Sequence, residues 1–211
     1  MSLVARTRRV YDCVSGIYPL SSYLFHSKAH RCALETAGIR DGMKVLEVAT
    51  GSGEMFRRLV RINRHGSTVG LDLSPNMAAR TQRRIRREFP EARTLCHAVD
   101  ARRMPFGDET FGAIVCCYLF ELLPSDAIVL AIDECRRVLE PNGTLTLTLI
   151  GQNTAGFNRA YRVCNRLAPA FWGRQVEHGV PDLIEAANFR ITHDRMIRQG
   201  FYPSRVLTAR K

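Results

Sequence analysis

From residue 43 onward, short apolar runs alternate with longer amphipathic stretches. The runs Met43–Ala49, Ser67–Leu73, Thr94–Ala98, Phe111–Cys117 and Thr144–Ile150 are each five to seven residues long and end in glycines, acids or polar residues. The most apolar, Met43–Ala49 and Phe111–Cys117, do not alternate with polar residues, as expected of parallel strands buried on both faces. Between the runs, Glu54–Ile62, Pro75–Phe89 and Ser125–Leu139 read as helices. The last repeats apolar groups at Ile128, Ile132, Cys135 and Leu139. Ser74 is placed to cap the second of these helices, with Pro75 in its first turn. The turn Pro141-Asn142-Gly143 is expected to stop the third helix and start the strand that follows.

Strands that alternate with helices require right-handed crossovers, which predicts an α/β fold with one doubly wound, Rossmann-like, mostly parallel sheet. Residues 1–40 read as helical, with Val10, Val14, Ile17 and Leu24 set among arginines. After Ile150 the alternation breaks. Residues 152–172 read as an inserted helical segment ending in Phe171-Trp172, and Pro181–Ala187 as a further helix. Phe189–Ile197 and Tyr202–Arg210 read as strands joined by a turn at Gln199-Gly200, adding an antiparallel hairpin to the sheet. The expected organisation is therefore one domain. It comprises a helical N-terminal lid over 1–40, a cofactor-binding core over 41–150, a substrate-side insertion over 151–188 and terminal strands over 189–211.

Composition adds limits. With 211 residues and 45% hydrophobic content, the chain can bury a core. It has no apolar run of membrane-spanning length, and MSLVARTRRVYD lacks the apolar stretch of a signal peptide. Seven cysteines, an odd number without a CxxC pair, argue against a disulfide framework or a metal site and fit a reducing cytoplasm. The net charge of +11 would draw an anionic surface, lipid or nucleic acid, unless it only reflects an arginine-rich composition. The densest cluster, Arg80–Arg87, lies on a predicted helix and reads as a solvated face.

The chemistry concentrates at the strand ends. Glu47 closes the first strand, and Thr50-Gly51-Ser52-Gly53 opens the next helix. Glycines there let the backbone approach a ligand, and the helix start offers free N–H groups. A dinucleotide loop would place a third glycine where Phe56 stands. Asp72 ends the second strand, about 20 residues beyond the loop, at the position of an acid that accepts from ribose hydroxyls. Its bland alternative is a helix-start charge. Asp100-Ala101 follows the third strand. Each of these is weak alone, but together they mark successive strand C-termini, where α/β sheets bind ligands.

The blocks VLEVATGSGEM, VGLDLSPNM, HAVDARRMPFGDETFGAIVCCYLFELL and ECRRVLEPNGTLTL resemble class I S-adenosylmethionine methyltransferases. Their spacing, with the opening VYDCVSGIYPLSSYLFHSKAHRCAL, is similar to that of the ubiquinone/menaquinone biosynthesis C-methyltransferases over roughly residues 10–150. The resemblance implies S-adenosylmethionine as cofactor. Glu47, Thr50, Gly51, Ser52 and Gly53 would surround its methionine end, Asp72 its ribose, and Leu73, Asp100 and Ala101 its adenine. Cys117 takes a cofactor-contacting position where the quinone family has serine. The chain departs further from that pattern at Pro19 and at Glu121-Leu122.

A sulfonium methyl is already activated, so the protein's task is alignment, with a base only for an acceptor that holds its proton. Tyr118 and Glu121, just after the fourth strand, and Tyr18 in the N-terminal segment are the candidate catalytic residues. His26, His30, Tyr161, Trp172, His178 and Tyr202 are further candidates, which packing or surface exposure would equally explain. The expected acceptor is a small apolar or amphiphilic molecule, quinone-precursor-like or a phospholipid amine. A small thiol or amine remains open. Arg6, Arg8 and Arg9, and Arg159, Arg162, Arg166 and Arg174 around Phe157, Leu167, Phe171 and Trp172, suggest peripheral contact with an anionic membrane; an ordinary lid is the competing reading. Nucleic-acid methylation is disfavoured, because Cys117-Tyr118-Leu119-Phe120 replaces the Asn/Asp-Pro-Pro-Tyr/Phe motif. A non-enzymatic binding module is disfavoured by the intact Glu47, Gly51, Gly53 and Asp72.

Overall fold

A computed structural model describes residues 18–167, 174–200 and 202–211, with the side chains of residues 18–25 and 155 outside that description. Helix α1 (Tyr18–Thr36) leads into β1 (Lys44–Val48), α2 (Glu54–Ile62), β2 (Ser67–Asp72), α3 (Pro75–Glu88), β3 (Arg93–Ala98) and β4 (Phe111–Cys117). A short 3-10 turn, Phe120–Leu122, precedes α4 (Ser125–Val138) and β5 (Leu139–Ile150). Then come α5 (Ala155–Leu167), α6 (Val180–Ala186), β6 (Arg190–Gln199) and β7 (Tyr202–Arg210).

The seven strands form one sheet in the order β3-β2-β1-β4-β5-β7-β6. The pairs among β1 to β5 are parallel, and β7 runs antiparallel to both β5 and β6. The expected hairpin therefore exists, but its second strand, β7, is the one inserted next to β5. Strand order reverses between β1 and β4, and parallel sheets form their ligand crevice at such a reversal.

The unbroken apolar runs are explained by helices on both faces. Leu46, Val48, Ile114 and Cys116 pack toward α4 and α6, with Ile128, Ile132 and Cys135. Val45, Ala113 and Val115, one residue out of phase, pack toward α1 and α2, with Ala29, Ala33, Met55 and Leu59. Because successive strand side chains point to opposite faces, Glu47 shares the α1/α2 face with Val45. Helix α1 is thus more than a cover. From Ala29 onward its small residues lie in the core, and threonine hydroxyls tie its last turn down. Thr208 donates to Thr36 Oγ1 at 2.8 Å, and Thr144 donates to the Ala37 carbonyl. Residues 1–17 of the expected lid lie outside the described residues.

The Pro141-Asn142-Gly143 signal needs a correction. Helix α4 ends at Val138, and Leu139 already pairs with Phe111 as the first residue of β5. The next pair is Thr144 with Ala113, so residues 140–143 bulge out of the strand, with Asn142 at φ 62°. The turn chemistry was legible, but it shapes a bulge rather than the helix stop.

Gly53 starts α2 at φ 75°, and a Cβ there would lie 2.7 Å from Thr81 Oγ1 on α3. Gly53→Ala should cost about 1–3 kcal/mol of stability through left-handed strain and crowding. Urea unfolding with an unchanged midpoint would show that this turn tolerates a side chain.

Candidate active site

The loops after β1, β2, β3 and β4 surround a cleft at the strand-order reversal. Glu47, Thr50, Gly51 and Ser52 form its floor, while Asp72, Leu73 and Ser74 form one side. Asp100, Ala101 and Arg102 line the β3 end, and Cys117, Tyr118 and Leu119 line the β4 end. The floor is a tight turn, with Ala49 at φ 66° and Gly51 at φ 48°. It is fixed to β2, because Thr50 N–H donates to the Leu71 carbonyl at 3.0 Å.

Asp72 joins two loops. Its Oδ2 accepts the Gly51 N–H at 2.7 Å, and its Oδ1 accepts the Ser74 N–H at 2.9 Å. The cap of α3 is Ser74, as expected, whose Oγ accepts from Met77 N–H. Asp72 is therefore not merely a helix-start charge. Glu47 is 1% exposed, and its Oε2 has no hydrogen-bond partner among the described residues. Burial and the Asp72 charge push its carboxyl well above the usual range. Asp100 is instead clasped by Arg102, whose Nη2 donates to Oδ2 at 2.6 Å and whose backbone N–H donates to Oδ1 at 3.0 Å. That pairing holds Asp100 below the ordinary carboxylate range.

At the β4 end, Cys117 donates to Thr148 Oγ1 at 3.5 Å. Its thiol is pushed up to about 12 by burial, so it is a polar wall and not a thiolate nucleophile. Tyr118 sits at φ 55°, and its hydroxyl hydrogen-bonds Ser204 Oγ of β7 at 2.8 Å. His26 and His30 of α1 also line the cleft. The His26 ring lies 4.2 Å from that of Tyr118 and 5.0 Å from that of Tyr202. Burial lowers His26 to about 4 and His30 to about 3, so both imidazoles are neutral near pH 7.

Known proteins share this arrangement in part. A methyltransferase-domain model matches residues 45–143. The demethylmenaquinone methyltransferase of Thermotoga maritima is 33% identical over 159 residues, covering 74% of this chain and 64% of that protein. The ubiquinone/menaquinone biosynthesis C-methyltransferase of Desulfotalea psychrophila is 29% identical over 139 residues, covering 64% of this chain and 54% of that protein. Over residues 45–143 the chain is similar to methyltransferase domains. Its match spans less than two thirds of either relative's length. The fold agrees with the N-methyltransferase NodS of Bradyrhizobium japonicum, solved with S-adenosylhomocysteine. That chain is 15% identical with a TM-score of 0.77, covering 97% of this chain and 98% of its own.

Ten of the expected site residues line one cleft: Glu47, Thr50, Gly51, Ser52, Asp72, Leu73, Asp100, Ala101, Cys117 and Tyr118. Gly53 does not; its work is the turn against Thr81. Glu121 is a correction. The 3-10 turn points it inward, away from the cleft, and its Oε1 accepts the Ile150 N–H at 2.6 Å. Tyr161 is buried and stacks on Phe157, and His178 is exposed beside Glu177. Neither lines the cleft. The side chain of Tyr18, and Trp172 as a whole, lie outside the described residues. Sequence reasoning missed Leu122 and Leu123 in the wall, although the run Leu119-Phe120-Glu121-Leu122-Leu123 carried an apolar signal for them.

The enclosure of Glu121 has a measurable consequence. Burial, together with Glu177, raises it to about 7, against the opposing effect of the Ile150 N–H. A carboxyl with a raised folded value contributes stability at low pH that is lost as pH rises from about 4.5 through 7. Glu121→Gln keeps an acceptor for Ile150 and removes that loss. Its stability relative to the parent should therefore rise by about 1–3 kcal/mol between pH 5 and pH 8. A difference that stays flat across this range, measured by denaturant unfolding, would show that Glu121 does not titrate there.

Proposed function

We propose that the chain binds S-adenosylmethionine in this cleft and transfers its methyl group to a small apolar or amphiphilic acceptor. The observation that carries this reading is the convergence of Glu47, Asp72 and Asp100 on one cleft at the strand-order reversal. Glu47 offers an enclosed Oε2, without a partner among the described residues, that an ammonium group would satisfy. Asp72, held on the side of the cleft by the two backbone N–H groups it accepts, places a carboxylate where ribose hydroxyls would donate. Leu73 and Ala101 supply apolar contact for a flat base, and Asp100 supplies an acceptor at its edge. The cofactor provides an activated methyl on a cationic sulfur. The protein aligns the acceptor and keeps water away from it.

The domain reading fits this use. The N-terminal helix lines the cleft through His26 and His30, and the core over 41–150 would hold the cofactor. The acceptor end is walled by Tyr118, Leu119, Leu122 and Leu123, which suits an apolar ring or chain better than a small charged thiol or amine. The relatives are named for quinone-type substrates, in keeping with this wall. Released S-adenosylhomocysteine, measured across quinol, phospholipid, amine and thiol acceptors, tests the reading. Turnover should be highest with quinol-type rings; turnover confined to water-soluble thiols or amines would replace the acceptor class.

No described helix is long and apolar enough to cross a membrane. Yet α5 exposes Val163 and Leu167 (81%) beside exposed Arg159, Arg162 and Arg166. A basic face with apolar groups can rest among anionic headgroups, each arginine adding about 1 kcal/mol. The protein should sediment with anionic but not neutral vesicles, release with salt, and bind less when these three arginines are alanine. Equal sedimentation of parent and triple variant would remove α5 as the contact.

A further inference from the structure

His26 occupies the acceptor end of the cleft, three strands along the sheet from Asp100. Its ring is held by aromatic contacts alone: Tyr118 at 4.2 Å and 31°, Tyr202 at 5.0 Å, and His30 at 6.0 Å. Among the described residues it makes no hydrogen bond and no ion pair. Phenylalanine would fill the same stack without bringing ring nitrogens to the cleft wall. A half-buried imidazole that lines a cleft and makes no hydrogen bond among the described residues is placed for a ligand's donor or acceptor.

Two separate observations place that reason in the cleft. Tyr118, the nearest ring, is held at φ 55° with its hydroxyl fixed by Ser204, so backbone strain is spent on aiming this wall. One helical turn deeper, His30 lines the same cleft with Nδ1 enclosed and partnerless among the described residues. No carboxylate pairs with either imidazole, so nothing holds them charged. A neutral imidazole does not repel a sulfonium, and it presents a bare nitrogen lone pair.

Resting on the methyl-transfer reading, we propose that His26 is a catalytic residue that accepts the hydroxyl proton of a planar hydroxyaromatic acceptor stacked at this wall. The O–H proton passes to the His26 nitrogen, and the O–H electron pair moves into the ring. The ring carbon beside the hydroxyl bonds to the methyl carbon as the sulfur–methyl bond breaks, its electron pair staying on sulfur. The methylated carbon then loses its hydrogen as a proton to water, which restores the aromatic ring, and His26 returns its proton to the oxygen. The sum is one methyl transferred and one proton released. His30 positions His26 from the turn below.

The test uses binding to the intact protein saturated with S-adenosylhomocysteine, with 1,4-dihydroxynaphthalene and naphthalene as anaerobic probes. A site built around a hydroxyl rejects the analogue that lacks it. The parent should prefer the diol by about tenfold or more, the scale of one hydrogen bond. His26→Phe, which keeps the stack, should bring the two probes to within about twofold, with S-adenosylhomocysteine affinity unchanged. His26→Leu, which has no acceptor, serves as the second variant should the first fail to fold, and should also lose the preference. No preference for the diol in the parent, or a preference retained in either folded variant, overturns the role of His26. Failure of the parent to bind S-adenosylhomocysteine would instead overturn the cofactor reading beneath it.

Discussion

The carboxylate of Asp72 is the interaction on which the site depends. The β1 turn and the β2 turn leave the sheet side by side, and each offers a backbone N–H that no strand partner can satisfy. Asp72 accepts both, Gly51 at 2.7 Å and Ser74 at 2.9 Å. Charge-assisted bonds of this kind are short and directional. They hold the floor of the cleft in its left-handed turn and set the start of α3. The sheet supplies the crevice by reversing strand order between β1 and β4, and Asp72 gives the crevice a fixed shape.

The charges in the cleft follow from this scaffold. Glu47 lies near the end of β1 on the α1/α2 face, so burial and the nearby Asp72 both disfavour its ionised form. Such a carboxyl is poised for a cationic group. At the β4 end the trend is the opposite, because α1 buries two imidazoles without acids and both stay neutral. The cleft therefore runs from acids that favour a positive ligand to an uncharged aromatic wall. That polarity matches a cationic methyl donor beside an apolar acceptor.

The sequence made the frame legible because its signals are local. Unbroken apolar runs mark strands covered on both faces, and the Glu47–Gly53 turn, Asp72 and Asp100 each follow a strand end. Contacts between distant segments were not legible. Glu121 stands four residues past the end of β4, which suggested the acceptor wall. The Phe120–Leu122 turn instead hands it to the N–H of Ile150, 29 residues later. The bond between Tyr118 and Ser204 spans 86 residues and depends on β7 entering beside β5. The burial of α1 on β5, β6 and β7 depends on the same insertion. Periodicity in the N-terminal segment showed a helix, but not the face against which it packs.

Isothermal titration of the purified protein with S-adenosylhomocysteine and, separately, with NAD tests the central claim most directly. The glycine turn lacks the third glycine that a dinucleotide needs, with Phe56 fully buried in its place. Saturable binding of S-adenosylhomocysteine with no heat from NAD is the result predicted here. Binding of NAD with no response to S-adenosylhomocysteine would contradict the account at its root.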